Sequence, residues 1–207
     1  MIKRLIFDLD DTLIRWDDSY INAIKETVIE YNVNIDYLKL NDLVENYEQY
    51  YNTYSKENML ELFNKKLNLN LDMSFMNSWL DKLGSMAMKD DSVIDTIKYL
   101  SDKYSLVVLT NFMSSLQISR LKTAGIYEYF DDVIGGERFI KPNIESFKNA
   151  IGKYNSSECL MIGDNIDIDI KGALNAGLDV ILIDYNDKYQ NTEYKRIKNI
   201  TDLKEML

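Results

Sequence analysis

Short continuous apolar runs alternate with polar residues along most of the chain, and four of these runs have the length of a buried strand. Runs of this kind are typical of strands in parallel sheets, because both faces of such a strand are covered and must be apolar. A shorter fifth run ends in two glycines. We therefore predict strands at 5–7, 106–109, 133–134, 159–162 and 180–183.

Between the runs, apolar residues recur every three or four positions, which predicts helices. From residue 91 onward the two patterns alternate, so we expect an α/β fold with a Rossmann-like parallel sheet and helices on both faces. Ser92 is a candidate N-cap, and Gly125 and Gly177 are candidate C-terminal stops. A final helix is expected near 201–207.

The segment 17–90 differs, because it contains one glycine, no proline and helical periods throughout. We predict helices there at 18–32, 36–54, 57–68 and 73–88. The segment lies between the first strand and the rest of the sheet. We therefore expect an α-helical domain inserted after the first strand, with a core of 1–15 and 91–207 and an inserted domain of 16–90, which we call the cap.

Two sets of residues stand out within the expected cap. The first is a tyrosine stripe with the spacing of one helix face: Tyr47, Tyr50, Tyr51 and Tyr54. We expect it to pack between helices, and a sharper hypothesis is that one tyrosine lines a substrate pocket. The second is a set of methionines that we expect to pack inside the cap: Met73, Met76, Met86 and Met88.

Composition and charge exclude several classes of function. The net charge is -10, from 24 basic and 34 acidic residues, so a nucleic-acid binder with a dense basic surface is not expected. No apolar run reaches the roughly 18 residues that span a membrane. With no histidine in the chain, histidine-dependent triads and histidine zinc sites are excluded. No secretion signal is seen at Met1, and the single cysteine, Cys159, is expected in the core, so we predict a cytoplasmic protein.

Polar side chains follow three of the predicted strands directly. They are Asp8, Asp10 and Thr12 after the first strand, Thr110 and Asn111 after the second, and Asp164 and Asp169 after the strand at 159–162. Ligands of open parallel sheets collect beyond the carboxyl ends of the strands, so we expect these side chains to converge. Asp8 and Asp10 point the same way in an extended segment, and their carboxylates repel each other without a cation or a proton. An oxygen-liganded ion such as Mg²⁺ suits this arrangement.

These residues resemble the motifs of a known family. The run Asp-Leu-Asp-Asp-Thr-Leu at 8–13 resembles the D-x-D-x-T signature of the haloacid dehalogenase-like hydrolases, with Asp11 where the family often has Gly or Asn. Three further motifs follow in the family's order: Thr110-Asn111, Lys141-Pro142, and Gly163-Asp164 with Asp169. The resemblance covers the core, and the insertion matches the family's C1 cap in position and helical character.

The resemblance implies a Mg²⁺-dependent phosphatase that hydrolyses a small phosphorylated metabolite. Asp8 would be the nucleophile and form an aspartyl-phosphate. Asp10 would protonate the leaving group and then deprotonate water. Lys141 would pair with Asp8 and the phosphate.

The same resemblance implies which residues bind ligands. Substrate would be bound by Thr12, Thr110 and the backbone of Asn111. The metal would be held by Asp8, the backbone carbonyl of Asp10, and Asp164, with Asp169 in support through water.

Four further residues near the motifs complete these expectations. Asp167 is expected outside the metal's first shell, and Asp11 is expected to face away from the metal. Arg15 and Trp16 stand where family members have a mobile flap, and we hypothesise that Arg15 touches the non-reacting end of the substrate.

Several alternatives remain open from the sequence. A phosphomutase would use the same residues with a different cap. A haloacid dehalogenase would share the nucleophile, but the presence of Asp10 argues against that reaction. From a different class, the chain could be a phospho-receiver or a non-catalytic metal-binding regulator. A receiver domain has about half this length and no helical insertion. The sequence does not indicate an oligomeric state.

Overall fold

A computed structural model describes residues 1–15 and 19–207, and within them the strands form one parallel sheet. The strands are β1 Arg4–Phe7, β2 Ser105–Leu109, β3 Asp132–Ile134, β4 Cys159–Gly163, β5 Asp179–Ile183 and β6 Arg196–Ile197. Their order in the sheet is β3-β2-β1-β4-β5-β6, and every neighbouring pair is parallel. The expected Rossmann-like α/β fold and all five predicted strands are confirmed, and β6 is an addition.

Helices connect the strands. They are α1 Ser19–Glu30, α2 Tyr37–Glu45, α3 Lys56–Leu67, α4 Met73–Ser85, α5 Asp91–Ser101, α6 Ser114–Ala124, α7 Ile144–Ile151, α8 Lys171–Asn175 and α9 Leu203–Met206. None of the helices in the described residues has the length and apolar character needed to cross a membrane.

The boundaries of the helices follow local capping chemistry. Five helices, α2 to α5 and α7, begin after a side chain that accepts hydrogen bonds from the first-turn N–H groups. The prediction that Ser92 is an N-cap is wrong, because Asp90 accepts from the N–H groups of Ser92 and Val93. A carboxylate is a stronger acceptor than a hydroxyl, and the Asp90 carboxylate lies two residues earlier in the chain. The stop at Gly125 is confirmed, with a left-handed φ of 76°.

Side chains alternate between the two faces of the sheet, and each face has its own core. In β1, Leu5 and Phe7 join a cluster with residues of α5 and α6, whereas Ile6 joins a second cluster with residues of α7 and α8. Cys159 is fully buried in this second cluster, as predicted. Burial on both faces is the physical reason that the strand sequences are continuously apolar.

Helices α1 to α4 form a third packed unit, which we call the helical insertion (residues 19–85). It lies in the sequence between β1 and β2, which are neighbours in the sheet. Its buried cluster contains the fully buried Trp79 and extends to Phe112 and Met113, which follow β2. The insertion is therefore packed against the edge of the sheet where β2 ends. The domain boundaries of 16 and 90 remain a prediction, and residue 16 lies outside the described residues.

One predicted helix, 36–54, is wrong beyond Glu45. A short 3₁₀ helix follows at Tyr47–Gln49, and the next α-helix begins only at Lys56. Tertiary contacts override the helical period here. The N–H of Tyr54 donates to the carbonyl of Gly136, and the Tyr47 hydroxyl donates to the carbonyl of Thr53.

The tyrosine stripe is accordingly not a helix face, although most of it is packed. The rings of Tyr51 and Tyr54 both stack on Tyr47, with centroids 5.2 and 4.3 Å away, while Tyr50 is exposed. Three of the four methionines pack in the insertion as expected, but Met88 is 72% exposed.

The close approach of α4 and α6 gives a testable prediction. A Cβ at Gly84 would lie 2.5 Å from Oγ and 3.0 Å from Cβ of Ser119. In an open helix, Gly→Ala stabilises by up to about 1 kcal/mol. Here overpacking costs about 1–3 kcal/mol, so we expect Gly84→Ala to lower the free energy of unfolding by about 1 kcal/mol in urea titrations. Ser85→Ala, at the exposed neighbouring position, should stay within about 0.5 kcal/mol. Stabilisation by Gly84→Ala would contradict the close packing.

Candidate active site

The register of the central strands brings the predicted residues together. Phe7 of β1 lies opposite Val108 of β2 and Ile162 of β4. Asp8 follows Phe7 directly, and its N–H donates to the carbonyl of Ile162. Thr110 lies two residues after Val108, and Asp164 lies two residues after Ile162, so both reach the same edge of the sheet as Asp8. The strand order reverses between β1 and β4, where parallel sheets form ligand crevices.

A buried lysine joins two of the carboxylates at this edge. Nζ of Lys141 lies 2.6 Å from Oδ1 of Asp8 and 2.7 Å from Oδ1 of Asp169. The second oxygen of Asp8 accepts from the hydroxyl of Thr12 at 3.2 Å. The second oxygen of Asp169 accepts from the N–H of Asn165 at 3.1 Å. Asp8 is thus held from two sides in a fixed orientation.

Burial and charge shift the pKa values of this group. Burial raises the pKa of the Asp8 carboxyl well above its ordinary value, and the ammonium of Lys141 works against that rise. Burial, with the carboxylates of Asp169 and Asp11 nearby, raises the pKa of Asp164 to about 7. Burial alone would lower the pKa of Lys141, but Asp169 and Asp8 outweigh it and keep the lysine charged. The edge of the sheet therefore carries more negative charge than its single ammonium balances.

Asn111 fixes the backbone that carries Lys141. Its Oδ1 accepts from the N–H of Lys141 at 2.6 Å, and its Nδ2 donates to the carbonyl of Lys141 at 3.0 Å. The same Nδ2 donates to Oε1 of Glu48, from the helical insertion, at 2.9 Å. On the other side, a Cβ at Gly163 would lie 2.6 Å from the Asp169 carboxylate, so only glycine leaves space for that side chain.

Asp10 belongs to a second polar network that the sequence did not predict. Its carboxylate forms an ion pair with Arg120, whose side chain is fully buried. It also accepts from Nε2 of Gln117 at 3.0 Å and from the hydroxyl of Tyr20 at 3.4 Å. Gln117 donates to Oγ1 of Thr110 as well, at 3.0 Å. The network links the ends of β1 and β2 to α6 and, through Tyr20, to the helical insertion.

One signal in the sequence could have revealed this network. Gln117 and Arg120 share a helical face with Leu121 and Ala124, which are buried. Two polar residues on an otherwise apolar stripe need buried partners, because an unpaired buried charge is costly. No local pattern identifies Asp10 as that partner, since it lies 110 positions away.

A cavity of about 330 Å³ opens above Asp8. The sheet edge supplies its floor, with Asp8, Thr110, Lys141 and Asp164. The helical insertion supplies the opposite wall, with Val44, Glu45, Glu48 and Tyr54. Of the four tyrosines in the stripe, Tyr54 lines this cavity. Its hydroxyl donates to Oε1 of Glu48 at 3.3 Å.

Several other predicted residues lie elsewhere. Thr12 is buried, donates to Asp8 and does not line the cavity, so it orients Asp8, and its contact with substrate stays a prediction. Arg15 lies over the ring of Tyr185 at 4.4 Å and does not line this cavity, and its contact with substrate stays a prediction. Trp16 lies outside the described residues.

The two remaining aspartates differ from each other. Asp11, expected to face away from the metal, lines the cavity and contributes to the raised pKa of Asp164. Its φ of 55° is left-handed, a conformation that Gly, Asn and Asp tolerate best, which explains the residue types seen at this motif position. Asp167 is exposed and pairs with Lys171, in agreement with the expectation that it stays outside the first shell.

Three carboxylates have the geometry of a metal site. Asp8, Asp164 and Asp169 each offer an oxygen, and these oxygens all lie within 4.8 Å of one another. Oxygen donors of this kind suit Mg²⁺. The crowding of buried carboxylates fits a divalent cation, because a cation would offset the burial and the carboxylate repulsion that together raise the pKa values of Asp8 and Asp164. The Asp10 carboxylate lies outside this group and is turned to Arg120.

Comparison with known proteins gives a family match over most of the chain. The profile described as haloacid dehalogenase-like hydrolase matches residues 5–183. The chain is 27% identical over 202 residues to the glyceraldehyde 3-phosphate phosphatase of Methanothermobacter thermautotrophicus, covering 88% of this chain and 86% of that protein. It is 28% identical over 203 residues to the pyrimidine 5'-nucleotidase PynA of Streptococcus pneumoniae, covering 86% and 82%.

Solved structures share the fold over the whole chain. The HAD-hydrolase YfnB of Bacillus subtilis, bound to magnesium, has a TM-score of 0.80 at 23% identity, covering 100% of this chain and 98% of that one. An L-2-haloacid dehalogenase of Xanthobacter autotrophicus has a TM-score of 0.72 at 16% identity. At these identities the likeness concerns the fold alone.

The Asp10–Arg120 ion pair gives a prediction about stability. Arg120→Met would leave the Asp10 carboxylate without its buried counter-charge, which typically costs about 3–5 kcal/mol. Because Asp10 is partly open to the cavity, we expect the lower end, about 3 kcal/mol, from urea unfolding. The exposed Arg138 offers a control, and Arg138→Met should stay within about 0.5 kcal/mol. Equal effects of the two substitutions would show that the ion pair does not support the fold.

Proposed function

The chain belongs to the haloacid dehalogenase-like hydrolases, and we propose that within this family it is a Mg²⁺-dependent phosphatase of small phosphorylated metabolites. It is a phosphoric monoester hydrolase, and the two relatives described above carry the names of enzymes that act on small phosphorylated molecules. The finer proposal is that the reaction passes through an aspartyl-phosphate on Asp8. The observation that carries it is the Asp8 carboxylate itself, held by Lys141 and Thr12 and facing a cavity.

In the first half of the reaction, an oxygen of Asp8 would attack phosphorus and the bond to the leaving-group oxygen would break. The leaving alkoxide would take a proton from Asp10, which lines the same cavity. Lys141 and Thr110 would hold the phosphoryl group in line with Asp8. Positioning of this kind replaces a bimolecular encounter with an oriented one.

In the second half, Asp10 would take a proton from water as that water attacks phosphorus. The bond between phosphorus and Asp8 would break, and free phosphate and the original carboxylate would result. General acid–base help of this kind is typically worth ~10²–10⁴ in rate. Gln117 and Tyr20 would hold the Asp10 carboxylate in one orientation through both halves.

Mg²⁺ would be held by Asp8, Asp164 and the backbone carbonyl of Asp10, with Asp169 in support. When bound, it would neutralise charge on the phosphoryl group, which the buried Lys141 alone cannot do beside so many carboxylates. Asp169 has a second role in this proposal, because it holds Lys141 and the N–H of Asn165.

The helical insertion would act as a cap over the reaction. Its wall of the cavity excludes bulk water and limits the size of the leaving group. The cavity is at the small end of the roughly 300–1,000 Å³ of ligand pockets, which favours small metabolites over proteins. A phosphomutase would use the same floor, and it is distinguished by an isomerised phosphate in place of free phosphate.

The test is release of phosphate from a generic aryl phosphate. We expect turnover that disappears with a chelator and returns with Mg²⁺, because the carboxylates cannot accept a dianion unaided. Asp8→Asn should reduce the rate at least about a thousandfold, since it removes the nucleophile. Rapid acid quenching should also leave a phosphoryl adduct on the peptide that contains Asp8.

A matched pair of variants tests the metal ligands. Asp164→Asn should raise the Mg²⁺ concentration needed for half-maximal rate, at least about tenfold. Asp167→Asn, in the same loop but paired with Lys171 at the surface, should leave that concentration unchanged. Metal-independent turnover that persists in Asp8→Asn would refute the mechanism.

A further inference from the structure

The wall of the cavity that faces Asp8 is acidic. Glu45 ends α2 and Glu48 lies in the 3₁₀ helix that follows, and both line the cavity. Neither residue belongs to the family motifs, and neither takes part in the proposed chemistry. They come from the insertion, the part of the chain that would meet the leaving group and not the phosphate.

Glu48 is held in place beside the phosphate site. Its Oε1 accepts from Nδ2 of Asn111 at 2.9 Å and from the hydroxyl of Tyr54 at 3.3 Å. Asn111 in turn holds the backbone of Lys141 at both its N–H and its carbonyl. The Glu48 carboxylate is thus connected to the floor of the site by one side chain. A charge fixed in this way acts on the substrate more strongly than a mobile surface charge.

Among the described residues that line this cavity, no basic side chain is available to receive a second anion. Its lining in the described residues includes the carboxylates of Asp8, Asp10, Asp11, Glu45, Glu48, Asp164 and Asp169. The one basic residue among the lining residues is Lys141, whose ammonium already contacts two carboxylates. The three residues that the structure does not describe are Trp16, Asp17 and Asp18, so none of them is basic.

We propose that the substrate is a phosphate monoester whose leaving group carries hydroxyl or ammonium donors and no second anionic group, and that Glu48 enforces this choice. The inference rests on the proposed phosphatase function. Mg²⁺ and Lys141 would balance the phosphoryl group. A carboxylate or second phosphate near the opposite wall would meet Glu48 and Glu45 without a counter-charge, while a hydroxyl or an ammonium would donate to them.

Three phosphate esters of the same two-carbon length test this directly: 2-hydroxyethyl phosphate, phosphoethanolamine and phosphoglycolate. Each is used as a substrate and as a competitive inhibitor of aryl phosphate hydrolysis, so that an ester that is bound but not hydrolysed still gives an inhibition constant. We expect phosphoglycolate to bind about tenfold more weakly than the hydroxyl ester, the effect of a like charge in partly solvated surroundings. Comparison of phosphoethanolamine with 2-hydroxyethyl phosphate shows whether the site prefers an ammonium or a hydroxyl donor. Phosphoethanolamine should bind at least as well as 2-hydroxyethyl phosphate.

Glu48→Gln removes the charge and keeps an amide oxygen for Asn111. In the native protein the inhibition constant of phosphoglycolate should be about ten times that of 2-hydroxyethyl phosphate. In Glu48→Gln the two constants should differ by no more than about threefold. Glu26→Gln, on the exposed side of α1, changes the net charge equally and should leave the ratio of the two constants unchanged.

Each result has one meaning. Phosphoglycolate that binds as well as the hydroxyl ester would overturn the inference while the phosphatase function stands. A ratio unchanged in Glu48→Gln would overturn the role of Glu48. Absence of phosphate release from the aryl phosphate and from all three small esters would refute the proposed function, and the inference with it.

Discussion

The ammonium of Lys141, buried between the carboxylates of Asp8 and Asp169, is the interaction on which the site depends. Without it, carboxylates at the ends of β1 and β4 would face one another in surroundings that disfavour charge. The fold supports this one group from several directions. Asn111 fixes the backbone of Lys141, and Gly163 leaves the space in which the Asp169 carboxylate lies. The lysine therefore belongs to the structure as much as to the proposed chemistry.

A second constraint ties the sheet to the helical insertion. Asp10 reaches Tyr20 of α1 and Arg120 of α6, and Phe112, which follows β2, packs among the insertion's aromatic rings. The network around the proposed acid–base residue is therefore shared between the two parts of the chain. If the insertion moves as a cap, its motion changes the hydrogen bond from Tyr20 to Asp10, and with it the orientation of the Asp10 carboxylate. That coupling gives the insertion a physical route to the chemistry beyond the exclusion of water.

The accuracy of the sequence predictions follows the range of the interactions involved. Strands were predicted well because burial on both faces makes them continuously apolar, a property visible in each segment alone. The motif residues converge because parallel strands end at one edge, so order along the chain was sufficient to group them. The helix at 36–54 failed at Glu45 because the Tyr54 N–H bonds to Gly136, 82 positions further along by residue number. Thr12 was assigned to substrate from the family resemblance and Arg15 from its place after the first motif. In the structure Thr12 donates to Asp8 and Arg15 lies over the ring of Tyr185, so both substrate contacts stay predictions.

The sequence by itself determined the family, the parallel sheet and the carboxylates, lysine and threonine at its active edge, because each depends on local composition and fixed motif spacing. Tertiary structure alone decided the surroundings of those residues. The acidic wall of the cavity comes from the insertion. The contacts of Gln117 and Arg120 with Asp10, and of Asn111 with Glu48, join positions that are 63 to 110 residues apart. The spacing of apolar and polar residues along the chain does not show which of such distant residues are in contact. These contacts arise from how the insertion packs on α6, and that packing is set by side-chain shape over the whole buried cluster.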